Sequence, residues 1–185
     1  MQGIWLVAFI AQWILLLLLA FLMIQTMRFL RLLSRRLPPG TSIKVGDHIS
    51  DFELPDIHNQ PVSINSLLGH DKSTLLLFVR STCSSCRLLV KHVARAAQQR
   101  ASVNGLPCQI VFVCSGKRAD IEKMMNILPE VGDITVLVDK DEIVFAYYNI
   151  QSTPFGLAIN SAGKVYSLLT HPAGNWFDAM CVGTD

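Results

Sequence analysis

The chain has 185 residues, a formal net charge of +2 and 51% hydrophobic residues, with a mean hydropathy of +0.39. That length accommodates one anchor plus one domain of about 140 residues, enough to bury a core. The charge is uneven: Arg28, Arg31, Arg35 and Arg36 lie beside an apolar N-terminal stretch, no acid precedes Asp47, and the remaining 12 basic residues face 14 acids. A near-neutral domain excludes the basic footprint of a nucleic-acid binder and leaves the arginines as a membrane-edge feature.

Ile4–Ile24 is apolar apart from Gln12 and carries Trp5 and Trp13. As a helix of 21 residues it would be about 32 Å long, matching a hydrocarbon core of about 30 Å. A cleaved signal peptide fits less well, because there is no basic n-region and no small-x-small site follows. A buried core helix is disfavoured by the length. Residues 1–27 therefore read as a single transmembrane anchor and 28–44 as a basic juxtamembrane segment and linker, stopped by Pro38-Pro39-Gly40. Residues 45–185 read as the folded domain.

Along the domain, Val45–Ile64 predicts short strands, with Phe52 and Leu54 alternating against polar neighbours and a turn at His58-Asn59-Gln60-Pro61. Ser66–Gly69 reads as a helical turn. Thr74–Arg80 is a continuous apolar run, the mark of a strand buried on both faces. Cys83-Ser84-Ser85-Cys86 follows, and then a helical pattern to about Ala101, with Leu89, Val93 and Ala97 four apart. Gln109–Val113 and Ile134–Val138 read as buried strands, Lys117–Leu128 as an amphipathic helix and Glu142–Tyr148 as a short one. Thr153-Pro154 introduces the strand Phe155–Ile159. A turn at residues 160–163 leads to Lys164–Leu169, and Asn175 caps a last helix through Cys181. Strand–helix–strand–helix–strand, then a hairpin and a helix, predicts a mixed α/β sheet with helices on both faces.

The chemistry concentrates at Cys83 and Cys86. A thiol at a helix start meets unsatisfied N–H groups and the positive end of the macrodipole, which favour its thiolate. Cys83 is thus the expected nucleophile, and Cys86, one turn inside, the sulfur that resolves a mixed disulfide. Two alternatives use the same pair. Half of a zinc site would need further ligands, for which Cys108 and Cys114 are the candidates, both flanking a buried strand. A purely structural bridge is rarely set at a strand-to-helix turn. The odd number of cysteines, five, leaves at least one unpaired within the chain. Cys108, Cys114 and Cys181 read as buried small hydrophobes. Arg80 and Arg87 read as solvated, Asp56 and Asp139 as turn or strand-end residues, Asp120 and Glu122 as solvated helix charges, and Met124 and Met125 as core. The five histidines show no ligand spacing, so neither a metal nor another cofactor is expected.

The segments STCSSC, STPFGLAIN and VGDHISDFELPDIHNQPVSI resemble the redoxin branch of the thioredoxin superfamily, from about Val45 to Cys181. With its N-terminal anchor the chain is similar to the membrane-tethered TlpA/ResA-like proteins, and among them to the MauD-type accessory proteins. That resemblance implies a thioredoxin-like fold and thiol–disulfide oxidoreductase activity on a partner protein bearing thiols or a disulfide. It also implies a cis Pro154 packed against the redox pair, Thr153 and Pro154 as the docking edge, and a periplasmic domain serving maturation of a dehydrogenase subunit. The positive-inside rule points to the cytoplasmic side instead. Three departures stand out. Thr82 replaces the usual tryptophan, Ser84-Ser85 lacks the usual proline, and the peroxiredoxin pattern P-x-x-x-T-x-x-C is absent, which argues against peroxidase activity. The competing functions are a metallochaperone using Cys83 and Cys86 with a histidine such as His171, and a scaffold whose redox site is idle.

Overall fold

In the computed structural model the described residues are 9–10, 12–23, 25, 42–68, 72–101, 108–129 and 133–170. The chain divides into two units, Met1–Pro39 and Gly40–Asp185. In the first, residues 9–10, 12–23 and 25 are helical. Among the described residues no helix is long and apolar enough to cross a membrane. Much of the expected anchor, the arginine cluster, His171, and the helix from Asn175 through Cys181 lie outside the described residues.

The second unit is built on a five-stranded sheet ordered β5-β4-β3-β6-β7. The apolar runs form its centre: β3 (Ser73–Arg80) and β4 (Cys108–Ser115) pair in parallel, and β5 (Ile134–Val138) joins β4 in parallel. β6 (Phe155–Ile159) and β7 (Val165–Leu169) form the antiparallel hairpin that the turn residues predict. A separate two-stranded sheet pairs β1 (Glu53–Pro55) with β2 (Pro61–Ser63).

Four helices complete the described part of this unit: α1 (Ile64–Leu67), α2 (Ser84–Ala101), α3 (Arg118–Met125) and α4 (Ile143–Tyr147). Alternation along β3 sorts the core. Leu75, Leu77 and Val79 face Cys86, Val90 and Val93 of α2 and Ile121 of α3 in one buried cluster. Phe78 points to the other face, where it meets Phe145 of α4 edge-on at 5.3 Å between ring centroids. Helices therefore cover both faces, as expected, and the C-terminal ends of β3, β4 and β5 share one edge of the sheet.

Several boundaries differ from the sequence reading, two of them at helix starts. Ile64 starts a helix instead of ending a strand, because the Ser63 side chain accepts the Asn65 N–H as an N-cap. Glu142 lies outside α4 in a left-handed conformation, with φ of 53°.

Candidate thiol redox site

β3 delivers the chain to this edge, and the Cys83 N–H donates to the Arg80 carbonyl at 3.1 Å, closing the turn before α2 begins at Ser84. Cys83 is half-buried and Cys86 fully buried; both thiols are free. The amide of Cys86 donates to Cys83 Sγ at 3.2 Å, and Ser85 Oγ lies 3.2 Å from the same sulfur. From the opposite side, the carbonyl of Thr153 accepts from Cys83 Sγ at 3.5 Å. The Thr153-Pro154 peptide bond is cis, as the resemblance implies.

These contacts divide the two thiols. Burial pushes Cys83 up, but hydrogen bonds from the Cys86 thiol, Ser85 and the Cys86 amide outweigh it and bring the pKa down to about 7. For Cys86, burial and the hydrogen bond it gives to Cys83 raise the pKa to about 11. Near neutral pH the outer sulfur is partly ionised and the inner one protonated, a division that suits the outer sulfur to nucleophilic attack. Cys114, on β4 opposite Val79, is fully buried and its thiol is raised well above the ordinary value, first by burial and then by Cys86.

Several residues depart from their sequence reading. Arg80 is not simply solvated. It makes a two-point ion pair with Glu142, at 3.1 and 3.2 Å, and its guanidinium lies 5.1 Å from the centre of the Phe145 ring. Ser115 Oγ donates to the same carboxylate at 2.6 Å. Arg80, then Ser115, hold the Glu142 carboxyl below its ordinary range. These contacts join the ends of β3 and β4 to the loop after β5. Arg87 donates to the Ser81 carbonyl at 3.3 Å, across the turn. Asp139 is more than a strand end: only 1% exposed, it accepts the amides of Ile143, Val144 and Phe145 at the start of α4.

Cys108 corrects the reading as a plain buried hydrophobe, because it is disulfide-bonded. That also removes it as a zinc ligand beside the redox pair, and among the described residues no three His, Cys, Asp or Glu side chains are grouped to hold a metal ion. Two serines at this turn carry no expectation from the sequence: Ser85, beside the Cys83 sulfur, and the buried Ser81. The replacement of proline by a hydroxyl residue at position 85 was the available signal for the first. For the second there was none: the Ser81 hydroxyl is buried with no hydrogen-bond partner, and a Cβ at Gly116, whose φ is +132°, would collide with it.

Residues 45–168 match the AhpC/TSA family. The chain belongs to that family. Among curated proteins, it is 25% identical over 152 residues to the methylamine utilization protein MauD of Paracoccus denitrificans, covering 77% of this chain and 70% of that one. Among solved structures it resembles a DsbE-type thiol:disulfide interchange protein from Chlorobium tepidum, with a TM-score of 0.61 and 24% identity over 75% of this chain and 93% of the other. A secreted Mycobacterium tuberculosis disulfide oxidoreductase homologous to Escherichia coli DsbE aligns with a TM-score of 0.52 and 18% identity, over 66% and 84% of the two chains. The redoxin resemblance and the thioredoxin-like fold therefore hold. Within this AhpC/TSA member, the strand-to-helix turn carries two thiols whose pKa values are pushed in opposite directions, an arrangement suited to thiol–disulfide exchange.

Proposed function

We propose that this protein is a membrane-tethered thiol–disulfide oxidoreductase acting on a partner protein outside the cytoplasm. The observation that carries the reading is the pairing of a half-exposed Cys83, held at about pKa 7, with a buried Cys86 whose amide binds its sulfur. The Cys83 thiolate attacks a partner disulfide, so one S–S bond breaks, a Cys83–partner bond forms and the partner's other sulfur leaves as a thiolate. Cys86 then attacks Cys83. A Cys83–Cys86 bond forms, the partner leaves with both thiols reduced, and two electrons have passed to it. The reverse sequence oxidises the partner.

Thr153 supports docking, since its carbonyl already faces Cys83 and offers a backbone acceptor to an extended partner segment. The apolar run Ile4–Ile24 supports tethering. The disulfide at Cys108 supports an oxidising compartment, against the pull of Arg28, Arg31, Arg35 and Arg36. By likeness to MauD, the partner is a protein of methylamine utilisation, such as a subunit of methylamine dehydrogenase undergoing disulfide formation or correction.

The test is a Cys86→Ser chain expressed in intact cells and recovered without reductant. It accumulates an exported protein disulfide-linked to Cys83, whereas Cys83→Ser, Cys86→Ser captures nothing. Absence of any adduct removes the exchange reading, and capture of cytoplasmic proteins alone removes the compartment.

A further inference from the structure

The outer surface of α2 carries a charge pattern that the exchange reaction itself does not use. The inner face of the helix, with Leu89, Val90, Val93 and Ala97, is buried in the core cluster. Ser84, Arg87, Leu88, Lys91, His92 and Arg95 are exposed. At about 100° per residue these six fall within an arc of about 140°, so they form one stripe along the helix. The 18-residue helix holds four Lys or Arg and no Asp or Glu, although acids outnumber bases over the rest of the domain. Among the described residues, Lys91 and Arg95 enter no ion pair. Lys91 has a like charge one turn away on each side, Arg87 and Arg95, an arrangement that weakens a helix unless an opposite charge covers it.

The stripe begins at the redox pair. The Arg87 N–H donates to the Cys83 carbonyl at 3.3 Å, and its guanidinium donates to the Ser81 carbonyl at 3.3 Å. Positive charge therefore sits on the turn that presents Cys83. From Ser84 to Arg95 the stripe runs about 16 Å along the helix axis, the length of about five residues of extended chain. Lys91 and Arg95 are about 6 Å apart along the axis, close to the spacing of about 7 Å between alternate residues of an extended chain. Leu88, between Arg87 and Lys91, is 59% exposed.

We propose that this face of α2 docks an acidic segment of the partner protein, with carboxylates at alternate positions engaging Lys91 and Arg95 and an apolar residue over Leu88. The proposal rests on the exchange reading above and names what the partner carries near its reacting cysteine. An acidic segment relieves the repulsion along the stripe and steers the partner's sulfur toward Cys83. An anionic lipid surface would meet the same charges. Laid along the stripe, however, it would also cover the turn that presents Cys83 and shut the partner out.

The test uses the reduced full chain in detergent and peptides closed by one internal disulfide. Five-residue tails on either side of the closed loop carry Asp, Asn or Lys at alternate positions. Exchange passes two electrons from the Cys83–Cys86 dithiol to the peptide, so the peptide becomes a dithiol and the chain a disulfide. At low ionic strength the second-order rate constant is expected to be roughly tenfold higher for the Asp peptide than for the Lys peptide, with Asn between. The spread shrinks at about 0.3 M salt. Replacing Lys91→Gln and Arg95→Gln together collapses the spread, and Lys91→Glu with Arg95→Glu reverses its order. Ratios within one variant are compared, so a general loss of activity cannot imitate the result. Equal rates for the three peptides, or an Asp-to-Lys ratio unmoved by the Glu variant, overturn the docking face while leaving the exchange reading intact. A second arm places the full chain in phosphatidylcholine vesicles with or without one-third phosphatidylglycerol, where the Asn peptide is expected to react alike in both. Slowing by the anionic lipid in the native chain but not in the Glu variant assigns the face to the membrane and overturns the proposal. If the native chain reduces none of the peptides and not oxidised glutathione, the exchange reading falls with it.

Discussion

Two strand-to-helix junctions on the same sheet edge solve one physical problem in opposite ways. Every helix begins with amides that lack intrahelical partners and favour a negative group. At the β5–α4 junction that group is the Asp139 carboxylate, buried and accepting three amides. At the β3–α2 junction it is the Cys83 sulfur, half-exposed and accepting the amide of Cys86. The carboxylate fixes a helix and remains out of reach. The sulfur receives the same kind of support but faces outward, so the stabilisation becomes an available nucleophile. A cap and a reactive thiolate differ here by burial and by the number of amides engaged.

That contrast can be broken from either side. The largest stability effect is expected for Asp139→Ala, which leaves three amides without their acceptor and costs about 2 kcal/mol, read as a lower denaturant midpoint. The pH dependence of Cys83 alkylation should not move in this variant. Ser85→Ala sharpens the other side. It removes a hydroxyl 3.2 Å from the sulfur, so the alkylation midpoint rises from about 7 toward the ordinary cysteine value and the rate at pH 6 falls roughly fivefold. Its denaturant midpoint should barely change. An unmoved alkylation midpoint would remove Ser85 from the thiolate's support.

The smallest effect belongs to Glu142→Gln. The Arg80–Glu142 pair is partly exposed, with side chains 28% and 47% accessible, so its loss costs roughly 0.5–1 kcal/mol. The Glu142 carboxyl is held below its ordinary range. The stabilisation is therefore complete above the unfolded carboxylate pKa and is lost as pH falls through the lower, folded one. Urea midpoints of the native and Glu142→Gln chains should differ at pH 7 and converge in acid. A difference that persists into strong acid would show that the charge of Glu142 is not what matters.

The sheet was legible because its signals are local. The run Thr74–Arg80, the cysteines after it and the turn before Lys164 each announce themselves within a few residues. Ile64 was misread because one side-chain hydrogen bond from Ser63 moved a boundary. Arg80 and Glu142 are 62 positions apart, and neither residue type nor periodicity marks such a pair. The disulfide at Cys108 was hidden for a similar reason, since spacing alone does not distinguish a bonded cysteine from a buried thiol. At the redox pair, the unequal surroundings of the two thiols were readable from their place at a helix start. The contribution of Ser85 depended on a rotamer and was not.

Under the proposed exchange, the closeness of the two thiols would bear on the second step as well as the first. With Cys83 free, burial and then its neighbour hold Cys86 at about 11. A partner joined to Cys83 would leave the outer sulfur uncharged, so that burial alone would oppose loss of the Cys86 proton at the moment when its sulfur is called on.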